Sequence, residues 1–341
     1  MSAARGAYRV AVEGGEIAFL CEPDETVLDA AERGGFALPY SCRKGACASC
    51  EADLTSGAVR ERGRGLVTGP AQAVKLCQAT ACSDLEIAPK RISPRDPNPR
   101  KVLDARLHRL HRPTPDVSIL KLRFPNGVRA KFRAGQHLKL LFEDGDSRSY
   151  SMANPPQLND GAELHVREIA GGRFSMAALA RLQPGAAVRV ETPFGEASLS
   201  DRPERPLILV VTGTGFAPAK SIIEDQLRRR GERPVRLYWG GRRIEDLYLA
   251  ELARGWAEQA PWFSFTPVLS RPAAGWSGRT GWVQQAALED QPDLSRCEAY
   301  ACGNSAMTTA AHDAFLEAGL PPARFHCDAF TPSGDSPPTP A

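Results

Sequence analysis

The sequence predicts three successive domains: an α+β domain, a small antiparallel β-barrel and a parallel α/β domain. Three observations predict this. Short apolar/polar alternations fill residues 101–202, the pattern changes to strand-then-helix over 203–330, and a run rich in proline and charge from Ala88 to Arg100 separates both from residues 1–90. The 341 residues suit two or three domains, and a 42% hydrophobic content lets each bury its own core. A net charge of +3 gives no support to a nucleic-acid or membrane-surface role. The longest apolar run, Leu207 to Val211, is far too short to span a bilayer, and residues 1–20 hold no apolar core behind a basic start, so a cytoplasmic protein is expected; a monomer is expected as well.

Taken in order, Tyr8-Arg9-Val10-Ala11-Val12 and Ile17-Ala18-Phe19 read as a hairpin turning at Gly14-Gly15. A short helix follows, with Val27, Leu28 and Ala31 on one face, Asp24 and Glu25 near its start and Gly34-Gly35 as its stop. Cys42, Cys47 and Cys50 are spaced C-x4-C-x2-C and Cys77 lies 27 positions on, the ligand spacing of a 2Fe–2S cluster. Small residues and Gly45 between Ser41 and Cys50 let backbone N–H groups turn toward cluster sulfurs. Structural zinc would show two C-x2-C hooks or a Cys/His mixture, and one hook is present. A disulfide framework fits poorly with nine cysteines in a large chain, so Cys21, Cys82, Cys297 and Cys327 read as ordinary thiols. Leu85-Glu86-Ile87 supplies a closing strand. Strands around one helix with a cysteine loop between them resemble the β-grasp fold of plant-type ferredoxins.

Residues 91–100 read as a linker that permits the first domain to swing as well as to dock, and Lys90 to Arg112, locally basic, reads as a solvated linker stretch. Leu120–Phe124, His137–Leu140, Leu164–Arg167 and Val188–Val190 are the strands of the barrel. In the third domain Leu207–Val211, Val235–Trp239, Phe263–Leu269 and Ala299–Cys302 alternate with helices over Lys220–Arg230, Leu247–Gln259 and Ala306–Ala318. Thr331 to Ala341, polar and proline-rich, reads as a disordered tail.

Arg148-Ser149-Tyr150-Ser151 on a barrel strand, followed by Gly171-Gly172-Arg173-Phe174-Ser175, resembles the FAD-binding domain of the ferredoxin-NADP reductase superfamily. Arg148 can fork onto the pyrophosphate, Tyr150 can lie against the ring system and Ser151 can bond near flavin N5. The glycine pair opens a helix whose N-terminus suits phosphate, and the superfamily uses backbone groups on the strand carrying His165, Val166 and Arg167. Thr212-Gly213-Thr214-Gly215-Phe216-Ala217-Pro218 is not the G-x-G-x-x-G fingerprint, but its glycines let backbone approach a diphosphate and Pro218 suits a first helical turn. Tyr238-Trp239-Gly240-Gly241-Arg242 and Cys302-Gly303-Asn304-Ser305-Ala306-Met307 sit at two further strand ends, where open α/β sheets bind ligands.

Over residues 8–330 the chain resembles the NAD(P)H-dependent reductase component of two-component aromatic-ring-hydroxylating dioxygenases, with ferredoxin first, then FAD, then nicotinamide. Arg148 to Pro156, Gly215 to Pro218 and the ending Phe325-His326-Cys327-Asp328-Ala329-Phe330 resemble terephthalate dioxygenase reductases, and the glucoseen reductases of deoxysugar biosynthesis are similar. The resemblance implies that hydride passes from NADH or NADPH to the flavin, and electrons then pass singly through the cluster to a terminal oxygenase. It also implies that Cys302 lies beside the nicotinamide and Phe330 near the flavin face. Two departures stand out: Ala48 replaces a glycine of the cluster loop, and Thr212 replaces the first glycine of a Gly-Gly-Thr-Gly turn. The alternatives are a ferredoxin-like shuttle without reductase activity and a deoxysugar electron donor. Arg242 and Arg243, with Glu245 and Asp246 close behind, predict use of both dinucleotides with NADH favoured.

Overall fold

The computed structural model describes residues 6–45, 48–95, 100–168, 182–195, 199 and 202–330. Cys47, Gly171, Gly172, Arg173, Phe174, Ser175 and the tail from Thr331 lie outside the described residues.

The N-terminal domain holds β1 (Tyr8–Val12), β2 (Ala18–Cys21), α1 (Val27–Arg33), β3 (Phe36–Ala37), β4 (Glu51–Ser56), β5 (Ala58–Glu61), β6 (Gly65–Thr68), β7 (Ala71–Lys75), β8 (Ala79–Ala81), β9 (Leu85–Pro89) and β10 (Ser93–Pro94). Gly14 and Gly15 take φ of 95° and 78°, the left-handed backbone that the hairpin turn needs. Thr26 caps α1 by accepting from Asp29 N–H, and the buried face Val27, Leu28, Ala30 and Ala31 packs on the sheet ordered β2-β1-β9-β4-β7. The proline-rich run is not wholly irregular, since β10 pairs with β3 as a two-residue edge strand, the position where proline's missing N–H does no harm.

The second domain is built from β11 (Lys101–Thr114), β12 (Val117–Arg123), β13 (His137–Leu141), β14 (Ser147–Ser151), β15 (Gly161–Arg167) and β16 (Ala187–Phe194). Their sheet, ordered β14-β13-β16-β11-β12-β15, curls until its edges meet at one bridge, Met152 to Leu164. The expected antiparallel barrel is thus a barrel-like sheet, with no closing ladder among the described residues. The basic stretch is corrected beyond Arg100. Residues from Lys101 form a long strand whose Ala105 and Leu107 face the core while its charges face outward, a period-two pattern that high charge disguises.

The third domain holds β17 (Leu207–Thr212), α2 (Phe216–Arg229), β18 (Val235–Gly241), α3 (Ala250–Gln259), β19 (Phe263–Leu269), β20 (Arg279–Thr280), α4 (Val283–Asp290), β21 (Glu298–Asn304), α5 (Ser305–Glu317) and β22 (Phe325–Phe330). All are parallel in the order β20-β19-β18-β17-β21-β22. Leu207, Leu209 and Val211 feed one core and Ile208 and Val210 the other, as a sheet covered on both faces requires. The strand order turns back at β17, so a crevice opens between the carboxyl ends of β17 and β21.

Candidate functional site

The cysteine loop runs from α1 toward β4. Cys50 and Cys77 are buried and Cys42 half-buried, and every described cysteine is free of disulfide. Arg43, Gly45 and Ala48 take φ of 51°, 75° and 56°, turning successive peptides, and Lys44 N–H donates to Cys42 Sγ at 3.3 Å. The Gln78 amide donates to Arg43 O at 2.9 Å and reaches Cys77 Sγ at 3.6 Å, tying the fourth cysteine to the loop. N–H groups aimed at sulfur fit an anionic iron–sulfur core. Ala48 holds the left-handed conformation of the glycine it replaces, at a strain of about 1 kcal/mol. Its carbonyl accepts from Lys90 Nζ at 3.0 Å, which holds that turn. No three described His, Cys, Asp or Glu side chains are grouped tightly enough to hold a single metal ion.

On β14 the strand pleat puts Arg148 and Tyr150 on one face and Ser149 and Ser151 on the other. Arg148 donates to Asp146 Oδ1 at 2.5 Å and Ser147 O at 2.7 Å, which holds the guanidinium at the strand's start. Tyr150 is half-buried against the sheet core, and burial pushes its phenol well up. Ser151 turns instead to the third domain, donating to Asp328 Oδ2 at 2.8 Å. β15 is an edge strand, so the backbone of His165, Val166 and Arg167 pairs with β12 on one side, while on the other the contacts among the described residues are at Glu163 and Leu164, not at these three. That free edge is where backbone groups can hold a ligand.

The His165 side chain is not at that edge. Its ring is fully buried, with Nδ1 2.8 Å from the Tyr248 hydroxyl and Nε2 3.2 Å from Glu163 Oε1. Lys220 Nζ lies 3.2 Å from the same Glu163 oxygen and donates to Ala153 O at 3.3 Å, and Ser221 donates to Asn154 O at 2.7 Å. Burial holds His165 below its ordinary pKa. Burial works against ionised Glu163 too, but the His165 hydrogen bond and the Lys220 charge keep its carboxyl well below the usual range. This polar network welds the second domain to the third. Arg167 crosses the same seam, its guanidinium lying 3.1 Å from where a Cβ on Gly213 would stand.

At the sheet crevice, Gly213–Gly215 form a buried 3-10 turn into α2, whose N-terminus carries no side-chain cap and keeps its N–H groups for an anion. A Cβ on Gly215 would stand 2.2 Å from Cys302 O, and one on Gly303 2.1 Å from Thr212 Oγ1. One on Gly240 would meet Val283 Cγ1 at 2.6 Å and Thr212 Cγ2 at 3.1 Å. Thr212 is thus accommodated because Gly240 and Gly303, on the neighbouring strands, leave room on either side. Such close backbones form a cradle that fits a diphosphate. Phe216 lies in the core, its ring stacked 3.8 Å from Trp239, so only its backbone is left for a ligand. Pro218 is buried in the first turn of α2, and Met307 opens α5 with its N–H capped by Asn304 at 2.9 Å. Cys302 is sealed in the core and burial pushes its thiol well up. Phe330, half-buried, ends β22 beside Asn304. Arg242 is exposed. Its N–H and that of Arg243 donate to Asp246 Oδ2 at 2.7 and 3.0 Å, so the acidic residue braces the turn.

The three domains meet at one carboxylate that the sequence did not single out. Asp328 accepts from Ser41 Oγ at 2.9 Å and from Ser151 Oγ, and Ala329 N–H donates to Ser41 Oγ at 3.1 Å. Its register partner on β21 is Cys302.

A cysteine loop, a free-edged flavin-type sheet and a glycine-lined nicotinamide-type crevice in one chain define an iron–sulfur flavoprotein reductase. Comparison with known proteins agrees: residues 10–82 match the 2Fe-2S iron-sulfur cluster binding domain, 104–199 the oxidoreductase FAD-binding domain and 209–313 the oxidoreductase NAD-binding domain. The chain is 38% identical to terephthalate 1,2-dioxygenase reductase component 1 of Comamonas sp, over 96% of this chain and 98% of that one. It is 36% identical to a CDP-6-deoxy-L-threo-D-glycero-4-hexulose-3-dehydrase reductase of Yersinia pseudotuberculosis, over 93% and 96%. The crystal structure of an Amycolatopsis cytochrome P450 reductase superposes with a TM-score of 0.74 at 31% identity, over 96% of this chain and all of that one. The chain belongs to this family of NAD(P)H-dependent reductases that carry a 2Fe–2S ferredoxin domain fused to FAD- and NAD-binding domains.

Proposed function

We propose that this reductase feeds electrons from NAD(P)H to the terminal oxygenase of an aromatic-ring dioxygenase, of the kind that acts on terephthalate. The observation that carries it is the near-full-length likeness to two terephthalate dioxygenase reductase components, at 38% and 39% identity. Bound FAD would accept a hydride and release its electrons singly to the cluster. Cys42, Cys47, Cys50 and Cys77 hold the cluster. Arg148, Tyr150 and Ser151, the backbone of His165, Val166 and Arg167, and Gly171 to Ser175 hold the flavin. Gly213, Thr214 and Gly215, the start of α2 from Phe216 to Pro218, Gly240, Arg242, Gly303 and Met307 cradle the dinucleotide. Cys302, protonated and buried beneath that cradle, shapes its floor, and Phe330 closes the flavin side. With Asp246 committed to its turn and Arg242 exposed, both NADH and NADPH serve, NADH moderately better. The protein works as a cytoplasmic monomer.

The test is reconstitution. The purified chain should carry one FAD and one 2Fe–2S cluster and support NADH-dependent dihydroxylation of terephthalate with a purified terephthalate oxygenase component. Electron delivery to a CDP-deoxyhexulose dehydrase but not to the oxygenase would favour the second reading, which rests on the 36% identical relatives. Stoichiometric zinc in place of iron would defeat both.

A further inference from the structure

We propose that Asp328 is the joint that seats the cluster loop against the flavin-side strand, a positioning residue for electron passage. The proposal rests on the reading that electrons leave through the N-terminal domain. Asp328 faces two domains at once: Oδ1 accepts from Ser41, adjacent to the ligand Cys42, and Oδ2 accepts from Ser151 at the end of β14. Ala329 N–H closes back onto Ser41 Oγ. Beneath these bonds Cys42 packs on the apolar pair Cys327 and Ala329. β22, which carries all of them, is fixed by a six-residue parallel ladder to β21, from Phe325 opposite Ala299 to Phe330 opposite Asn304. A rigid strand of the third domain therefore holds one ligand's neighbour and the flavin strand through a single carboxylate.

Electron passage makes and breaks no bond: the flavin is oxidised by one electron and the cluster reduced by it. The chain controls this step through the gap, and the rate falls steeply as the gap opens. Hydrogen bonds to an ionised acceptor are the strong kind, and losing one would shift the balance between seated and unseated loop by roughly tenfold.

The variants are Ser41→Ala, Ser41→Thr and Asp328→Asn in the full-length holoprotein. In anaerobic stopped-flow with NADH, Ser41→Ala should bleach the flavin band at the parental rate and the cluster band roughly tenfold more slowly, and Ser41→Thr, which keeps the hydroxyl, should restore it. Amide exchange at Ala329 should quicken in Ser41→Ala and recover in Ser41→Thr. Asp328→Asn approaches the joint from the other side with the loop sequence intact, and should slow the cluster band even if Ser41→Ala binds the cluster poorly. Parental cluster bleaching in both Ser41→Ala and Asp328→Asn would overturn the proposal, as would unchanged exchange at Ala329 in Ser41→Ala. A parent protein without flavin or cluster would instead defeat the functional reading. The exchange measurement, which needs neither, would still show whether the joint forms.

Discussion

The two junctions of this molecule are built differently. Between the flavin and nicotinamide domains, Glu163, His165, Lys220 and Tyr248 form a buried network, flanked by Phe216 stacked on Trp239. Between the ferredoxin domain and its neighbours the contacts among the described residues are sparser and more exposed. Arg100 reaches Glu32 at 3.4 Å and the Tyr40 hydroxyl at 3.2 Å and lies over the Phe194 ring, Lys90 Nζ lies 3.4 Å from His312 Nε2, and Asp328 holds Ser41. Hydride transfer needs two rings held at bonding distance, which a dense, dry interface supplies. Electron transfer tolerates a gap, so a few polar contacts suffice.

The largest expected effect is chemical. Cys77→Ser should abolish the visible absorbance of the cluster while Cys82→Ser keeps it, because Gln78 ties Cys77 and not Cys82 to the cysteine loop. Loss in Cys82→Ser alone would move the fourth ligand and redraw the sparse junction. Next, a chain beginning at Lys101 keeps β11 and the whole dense junction. It should bind FAD and reduce ferricyanide from NADH at near the parental rate, yet lose most cytochrome c reduction. Equal cytochrome c rates would mean that the flavin passes electrons directly and the cluster is off the path.

The third prediction sets the junctions against each other. Glu163→Gln removes the anion that Lys220 and His165 share, leaving Lys220 paired with Glu224 alone, and should destabilise the protein by about 2 kcal/mol, whereas Arg100→Ala should lower stability by about 1 kcal/mol. Denaturant unfolding of both variants checks this, and equal losses would erase the contrast. Acidification probes the same network more gently. Burial depresses His165, and its partners depress Glu163 in spite of burial, so in acid the folded junction binds fewer protons than the unfolded chain. The stability contributed is full above the unfolded histidine value of about 6.5 and falls as the pH drops below it. A Tm that held or rose on acidification would contradict this. The smallest effect belongs to the outer rim of the crevice: Arg242→Ala should raise KM for NADPH by roughly tenfold, the weight of one charge-assisted contact, and leave NADH nearly unchanged.

Strands β1, β2, β9, β12 to β19 and β21, the helices α1, α2, α3 and α5 and the cofactor classes were legible in the sequence because each rests on local spacing: cysteines at fixed offsets, glycines where strands end, a period that changes from two to that of a helix. Residues 51–81 were harder to read, because β4 to β8 are short and the cysteine spacing says nothing about what lies between ligands. The strand from Lys101 was hidden by its own charge, and β22 by the mixture of His326 and Asp328 with apolar residues, which breaks any clean alternation. His165 and Phe216 carry motifs that suggest a ligand, but their side chains face inward, since a strand edge or helix start offers its backbone while tertiary packing takes the ring. The sequence by itself determined which cofactors the chain is built for. Only the tertiary structure decided that Ser41, Ser151 and Asp328 share one carboxylate, because that meeting joins residues of three domains. A hydrogen bond across 287 positions leaves no periodicity to read.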